Sequence, residues 1–166
     1  MRNPILWAVA AALLVLPLAA SAQASGNLVA TANVLQPLSV AAPQGLQFGD
    51  VFPGVSSTVL PSDVLNAGRF DITGEGNAEV DINFTLPTNL EAGSETIPIS
   101  FGPNSAAWMT ATSGGPFDFD PAAGTTQRLE ANAMSVYIGG TVDPAFGQAP
   151  GSYQNTVTMT VAYTGN

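Results

Sequence analysis

GSYQNTVTMTVAY, at residues 151–163, is the stretch that decides the fold. Its odd positions are mostly apolar or aromatic, whereas most of its even positions carry hydroxyl groups. A period of two is the pattern of a β-strand that buries one face. Thr, Val and Tyr favour this conformation because branched and aromatic side chains fit a pleated surface. The stretch has no charged residue. Since exposed edge strands usually carry charge or proline, we expect a partner to cover this strand.

A second alternating segment opens the mature chain at residues 27–36. Its even positions are apolar as far as Val34, and its odd positions are mixed. Pro37 interrupts the alternation, because proline cannot donate a hydrogen bond to a strand ladder. We therefore predict one strand at residues 28–36 and a shorter one at residues 38–42.

Short alternating runs separated by turn residues fill most of the remaining chain. They predict strands at residues 55–60, 68–73, 78–86, 96–101 and 129–141, with a strand-and-turn unit at 45–54. Residues 68–73 and 78–86 flank a Gly-Glu-Gly-Asn turn and are predicted to form a hairpin. Residues 87–93 and 102–126 are expected to be loops. Because no helical period occurs in the mature chain, the pattern predicts an all-β, Ig-like antiparallel β-sandwich.

Residues 1–22 have the features of a secretory signal peptide. Arg2 precedes a long apolar run that ends in an Ala-Ser-Ala cleavage site. Cleavage after Ala22, or alternatively after Ala24, leaves one β-sandwich domain at residues 23–166. We expect an exported protein in the periplasm, at the cell surface or outside the cell. No integral membrane segment is expected once the signal peptide is removed.

The composition excludes several classes of function. The chain has 3 basic residues against 12 acidic ones, and it has neither Cys nor His. Arg69 and Arg128 are the only cations of the mature chain, so nucleic acid is not an expected partner. Without Cys there is no disulfide and no thiol chemistry. Without His or Lys to act as a base, we predict no enzyme, no catalytic residue, no cofactor and no metal site.

Two groups of carboxylates are candidate sites that we interpret as surface features. The segment DITGEGNAEVD at residues 71–81 has four acids, but the twelfth position counted from Asp71 is Ile82, not the glutamate of a calcium loop. Asp118 and Asp120 could form an acid–base pair or hold a cation. Paired acids are common in acidic chains, so an exposed loop is favoured, and cation binding by this pair is left open.

Four stretches of the mature chain carry a family resemblance. They are ANVLQPLSVAAPQGLQFGDVFPG at 32–54, GRFDITGEGNAEVDINFTLP at 68–87, YIGGTV at 137–142 and the final strand at 151–163. Together they resemble the bacterial exported family called domain of unknown function 4402, over nearly all of the mature chain. This resemblance implies an exported domain and no particular activity.

The two ends of the mature chain also resemble those of pilin subunits from chaperone–usher fimbriae. Gly151 lies a dozen residues before Tyr163, and Val157, Met159 and Val161 alternate between them. This resemblance implies an Ig-like sandwich that lacks one strand, which the N-terminal extension of the next subunit supplies by β-strand addition. The chain departs from the pilin pattern by having three residues after Tyr163 and no disulfide.

The pilin resemblance implies a non-enzymatic structural subunit that assembles by donating its N-terminal strand, residues 27–36. The side chains expected to enter a second subunit are Leu28, Ala30, Ala32 and Val34. Those expected to line the acceptor groove are Val157, Met159, Val161 and Tyr163. Expected partners are further copies or other pilin-like subunits, with a periplasmic chaperone and an outer-membrane usher. The alternative is a self-complete monomer that binds a glycan or a protein through residues 102–126.

Overall fold

The computed structural model describes residues 23–165, so the predicted signal peptide lies outside the described residues. The described residues contain twelve β-strands, one short 3-10 helix at Glu130–Asn132 and no α-helix. The strands are β1 (Ser39–Gln44), β2 (Ser57–Val59), β3 (Gly68–Thr73), β4 (Glu79–Thr85), β5 (Asn89–Ala92), β6 (Glu95–Ser100), β7 (Ala106–Met109), β8 (Phe117–Phe119), β9 (Thr125–Arg128), β10 (Ala133–Ile138), β11 (Gly140–Val142) and β12 (Thr158–Tyr163).

The strands form three antiparallel sheets. Their orders are β1-β3-β10-β7-β8, β2-β11-β6-β5 and β12-β4-β9. The all-β antiparallel sandwich predicted from the alternating pattern is therefore confirmed.

The larger core lies between the five-stranded and the three-stranded sheets. Alternation on β3, β4, β10 and β12 turns their apolar residues toward this space, and burying each of them contributes about 1.5–3 kcal/mol. The buried members of this first core are Ile72, Val80, Ile82, Leu129, Met134, Val136 and Met159. At its edge, the rings of Phe70 and Phe84 meet edge to face with centroids 5.9 Å apart.

A second, smaller core covers one face of the four-stranded sheet. Its buried members are Ile97, Ile99 and Val142, on β6 and β11. The partly buried side chains that pack against it are Leu46, Phe48, Val51, Phe101 and Tyr153 from irregular segments and Leu90 from β5. This second core is thinner than the first, because loops rather than a facing sheet cover it.

The predicted hairpin of residues 68–73 and 78–86 is wrong in its pairing, although both strands exist. β3 pairs with β1 and β10, whereas β4 pairs with β12 and β9. The turn between them carries the chain from one sheet to the other. At Gly74 a Cβ atom would lie 2.5 Å from the Tyr163 hydroxyl oxygen, so this crossing requires glycine. A hairpin and a crossing between sheets have the same alternation and the same turn residues, so the sequence pattern does not distinguish them.

Three further predictions are corrected by the structure. Residues 89–92 form β5 rather than a loop, and the expected irregular section at 102–126 contains β7, β8 and the first residues of β9. Residues 151–157 do not continue β12, because its partner β4 ends at Thr85 and only Gln154 is bridged, to Glu91.

The chain divides into two units, with the boundary after Asn33. In the first unit, residues 23–33 are exposed and contain no strand. The strand predicted at 28–36 is therefore absent from the single chain, since a strand requires a partner for its backbone hydrogen bonds. The second unit, from Val34 onward, holds all the described strands. Among the described residues, no helix has the length and apolar character needed to cross a membrane.

Candidate functional site

Two of the six edge strands in the described residues, β1 and β12, lie on the same side of the sandwich. β1 pairs only with β3, and β12 pairs only with β4, within the described part of the chain. The ends of both strands meet where the Tyr163 hydroxyl contacts the backbone of Gln36, three residues before β1. Each strand therefore presents an unpaired edge to the seam between the two sheets.

A groove continues this seam beyond the two strands. Its volume is about 1070 Å³, and it is lined by residues that follow β1, residues that precede β12 and a floor from the second core. Ile97, Ile99 and Val142 form much of the floor. Asp50 is the only charged residue among the lining residues, so the groove suits an uncharged, largely apolar ligand.

The first wall of the groove consists of residues 44–51. The Gln44 side-chain amide donates hydrogen bonds to the backbone carbonyls of Val64 and Ala67, at 3.0 and 2.7 Å. The Gln47 N–H donates to the carbonyl of Asn66 at 2.8 Å. These bonds hold an irregular segment against the loop that precedes β3. In this loop a hydrogen bond from the Asn66 side chain lowers the pKa of Asp63.

The second wall consists of residues 148–157. Gln154 exchanges two backbone hydrogen bonds of 3.0 Å with Glu91 on β5. The Tyr153 hydroxyl donates to the carbonyl of Ala149 and accepts from the Gln148 side chain, both at 2.8 Å. The Asn155 side chain donates to the carbonyl of Asn89 at 2.8 Å. This wall is held mainly by side chains, and its backbone is not part of a continuous ladder.

One end of the seam is closed, and we call it the tyrosine pole, formed by Gln36, Glu75 and Tyr163. The Tyr163 hydroxyl donates to the Gln36 carbonyl at 2.7 Å and accepts from the Glu75 N–H at 2.6 Å. The Gln36 N–H donates to Glu75 Oε2 at 3.0 Å. Leu38 packs against the first core directly after this point. The Tyr163 side chain thus bridges β12 and the backbone that precedes β1.

The other end of the groove lies beside two loops, which we call the phenylalanine pole, residues 52–55 and 143–147. β10 begins at Ala133, which pairs with Thr73 near the tyrosine pole; after Gly139 the chain enters β11 of the four-stranded sheet and then reaches the loop at 143–147. The two poles therefore lie at opposite ends of the sandwich. Val51, Pro53 and Pro144 line the groove at this end.

The structure separates the eight predicted interaction residues into three groups. Leu28, Ala30, Ala32 and Val34 are all exposed and outside any strand. Val157 lines the groove. Met159 is buried in the first core, and Val161 and Tyr163 pack against it, so these three face the seam between the sheets. Their part in strand acceptance stays a prediction.

The carboxylates considered from sequence do not converge in the described residues. No group of three or more Asp or Glu side chains there is arranged to hold a metal ion. Asp118 is exposed on β8, and Asp120 accepts the Ala122 N–H at 2.8 Å within a turn. In the 71–81 segment, Asp71 accepts hydrogen bonds from Arg69 and Ser135, each at 2.8 Å. These contacts give Asp71 and Asp120 structural roles, whereas Asp118 lies exposed on its strand.

Sequence reasoning missed the first wall of the groove. The segment GLQFGDVFPG at residues 45–54 was predicted as a strand-and-turn unit, but it contains no strand. Leu46 and Phe48 do lie on one side, where they pack against the second core. The available signal was Gly49, Pro53 and Gly54, because glycine and proline are frequent in segments that leave a sheet.

The arrangement defines the protein as an all-β sandwich with an apolar groove between the segments that extend from β1 and β12, two of the six edge strands in the described residues. The chain belongs to the family described as Domain of unknown function (DUF4402), whose model matches residues 26–163. The family resemblance noted in the sequence is therefore confirmed. No curated protein matched the chain.

Proposed function

We propose that this protein is a non-enzymatic, exported structural subunit, pilin-like in its assembly. Each copy places its N-terminal segment, residues 27–36, as an additional strand in the groove of a second copy. The observation that carries this proposal is the meeting of two edge strands, β1 and β12, at the tyrosine pole, with an apolar groove between their extensions. Strand addition satisfies such edges by main-chain hydrogen bonds, while alternate side chains fill the pockets.

The chemistry of the N-terminal segment supports the role of donor. Leu28 and Val34 are 92% and 91% exposed in the single chain, which is unfavourable for large apolar side chains unless a partner covers them. Residues 23–36 have no charged side chain, which matches a groove whose lining has one carboxylate. At about 3.3 Å per residue, residues 28–36 would extend over roughly 30 Å.

The second wall of the groove supports the role of acceptor. Residues 151–157 continue the alternation of β12 but have only one bridged position, Gln154. A strand laid along their open side would offer the backbone partners that β4 does not reach. The long strand predicted at 151–163 would then form only in the assembled state.

The closed tyrosine pole sets the direction of the inserted strand. The body of a donor copy cannot lie at this pole without breaking the contact between Tyr163 and Gln36, so we place it at the phenylalanine pole. The donor strand then runs antiparallel to β12 and parallel to β1. Because each copy donates at one pole and accepts at the other, the contact is head to tail and propagates.

Export would expose an unfilled groove and free strand edges before assembly. Such edges promote aggregation, so a covering partner is needed in transit. We therefore include a periplasmic chaperone and an outer-membrane usher as proposed partners, with the cell surface as the destination.

Val34→Asp tests the proposal on the donor side. A charge buried in an apolar groove costs about 3 kcal/mol or more, which lowers the association constant by roughly a hundredfold. We expect mature Val34→Asp protein to remain folded and monomeric by light scattering. Asn33→Asp is the matched control, since it adds the same charge at the neighbouring position on the opposite side of the strand. Assembly of Val34→Asp at the wild-type level would refute donation by this segment.

A further inference from the structure

The phenylalanine pole carries two exposed aromatic rings on adjacent loops. Phe146 is 92% exposed and Phe52 is 70% exposed. The Gly54 N–H donates to the Pro144 carbonyl at 2.9 Å, and the Ser56 hydroxyl donates to Asp143 Oδ1 at 2.6 Å. These two bonds join the loops, so the rings belong to one braced surface.

The Phe146 ring passes close to Gly54 on the neighbouring turn. A Cβ atom at this residue would lie 2.7 Å from Phe146 Cδ1, and its φ of 74° is rarely adopted by other residues. One side of the ring therefore contacts the turn that follows Phe52, while the rest of the ring is open to solvent. Exposed aromatic rings on joined loops offer apolar surface that a partner can cover.

The two rings lie where the groove opens. Val51 and Pro53 flank Phe52 in sequence and line the groove, as does Pro144, two residues before Phe146. A strand that leaves the groove at this end must therefore pass the rings. In the proposed assembly, the residues that leave it are those that follow Val34 in the donor copy.

We infer that Phe52 and Phe146 bind the base of the donor segment, Leu35 to Pro37, of a second copy. This inference rests on the proposed strand donation. Leu35 is 38% exposed and Pro37 is also exposed, so both offer apolar surface at the point where the segment joins the sandwich. The contact adds a body-to-body interface to the groove, and it fixes the second copy relative to the first.

The test uses a pair of full mature chains that can form only one contact. Val34→Asp disables donation in the acceptor chain, and Val157→Asp disables acceptance in the donor chain. The dissociation constant of their 1:1 complex is measured by analytical ultracentrifugation. Phe146→Ser is then placed in the acceptor and Leu35→Ser in the donor, singly and together. We expect each to weaken the complex about tenfold, and the pair to weaken it by less than the product.

A capped peptide of residues 23–34 distinguishes binding at the rings from binding in the groove, because it lacks Leu35 and Pro37. We expect Phe146→Ser in the acceptor chain to leave peptide binding unchanged. The control variant Leu65→Ser removes an exposed leucine, 81% accessible, from the loop that contacts Gln44 and Gln47, and it should leave the complex unchanged.

Four results would overturn the inference. A complex unaffected by Phe146→Ser would mean that the rings touch nothing, and independent effects of the two variants would mean that they do not meet. Equal weakening of complex and peptide would assign the rings to the groove. If the unmodified acceptor binds neither the donor chain nor the peptide, strand donation itself fails and this interface fails with it.

Discussion

The Tyr163 hydroxyl lies 2.7 Å from the backbone carbonyl oxygen of Gln36 and donates a hydrogen bond to it. Tyr163 is the last residue of β12, and Gln36 is the last residue of the proposed donor segment. One side chain therefore closes the seam between the edge strands and also anchors the base of the segment that each copy would donate. The Glu75 N–H, which donates to the same hydroxyl at 2.6 Å, ties this point to the turn between β3 and β4.

Tyr163→Phe should lower the free energy of unfolding by about 1–2 kcal/mol. The variant removes one hydrogen bond to Gln36 and one from Glu75, and each contributes about 0.5–1.5 kcal/mol. The measurement is urea unfolding in a Val34→Asp background, where assembly adds nothing to stability. Tyr137→Phe is the control, since it removes the same hydroxyl group from a ring on β10 near Arg69, outside the tyrosine pole. Equal stability of Tyr163→Phe and its parent would show that this contact contributes nothing to folding.

Val34→Asp and Val157→Asp should complement each other. Each variant alone should stay monomeric, because one has lost its donor segment and the other its groove. Mixed, they should form a complex of two chains and no larger species, as only one contact is available. Thr160→Asp is the control for Val157→Asp, since Thr160 is exposed on the outer face of β12. Larger species in the mixture would contradict head-to-tail donation.

Salt should accelerate assembly of the mature protein. The mature chain has two arginines against twelve acids, so approaching copies repel each other. Raising the ionic strength from about 0.01 M to about 0.15 M shortens the screening length from roughly 30 Å to roughly 8 Å. We expect a several-fold faster rise of light scattering. Binding of the capped, uncharged peptide of residues 23–34 should change far less. Slower assembly in salt would indicate attraction between opposite charges instead.

Glu130→Gln should make the protein less stable at neutral pH and have little effect in acid. The Thr112 and Thr110 hydroxyls donate to the Glu130 carboxylate, so the pKa of Glu130 lies below its ordinary value of 4.5. A lowered pKa means that the ionised form stabilises the fold above about pH 4.5, and this contribution is lost as the pH falls through the folded-state pKa. The melting temperature between about pH 3 and pH 7, in a Val34→Asp background, measures the difference. Exposed Glu95 on β6 gives the control, Glu95→Gln. A Glu130→Gln deficit that does not vary with pH would contradict this assignment.

Period-two alternation located most of the strands in advance, because burial of one face is a local property of the sequence. The segment 68–73 coincides with β3, and 96–101 differs from β6 by one residue. The pairing of the strands is harder to predict from the sequence. Alternation states which side of a strand is buried but not which strand lies beside it, so β3 and β4 were paired with each other rather than placed in facing sheets.

The candidate site was only partly predictable for the same reason. Val157 and the exposed Leu28 and Val34 carry a pattern that sequence can detect. The first wall of the groove has no such pattern, because residues 45–51 are held by the side chain of Gln44 and the backbone of Gln47. Phe52 and Phe146 become neighbours only through the fold, since 87 residues, 56–142, separate their loops.

The most direct test of strand donation compares unboiled and boiled samples of the purified mature protein on a denaturing gel. Contacts made by a shared strand are expected to resist detergent until the sample is heated. We predict a ladder of unboiled species that collapses to one band on boiling, and no ladder for Val34→Asp. A single monomer band in both lanes, from wild-type protein that is folded and soluble alone, would contradict the account.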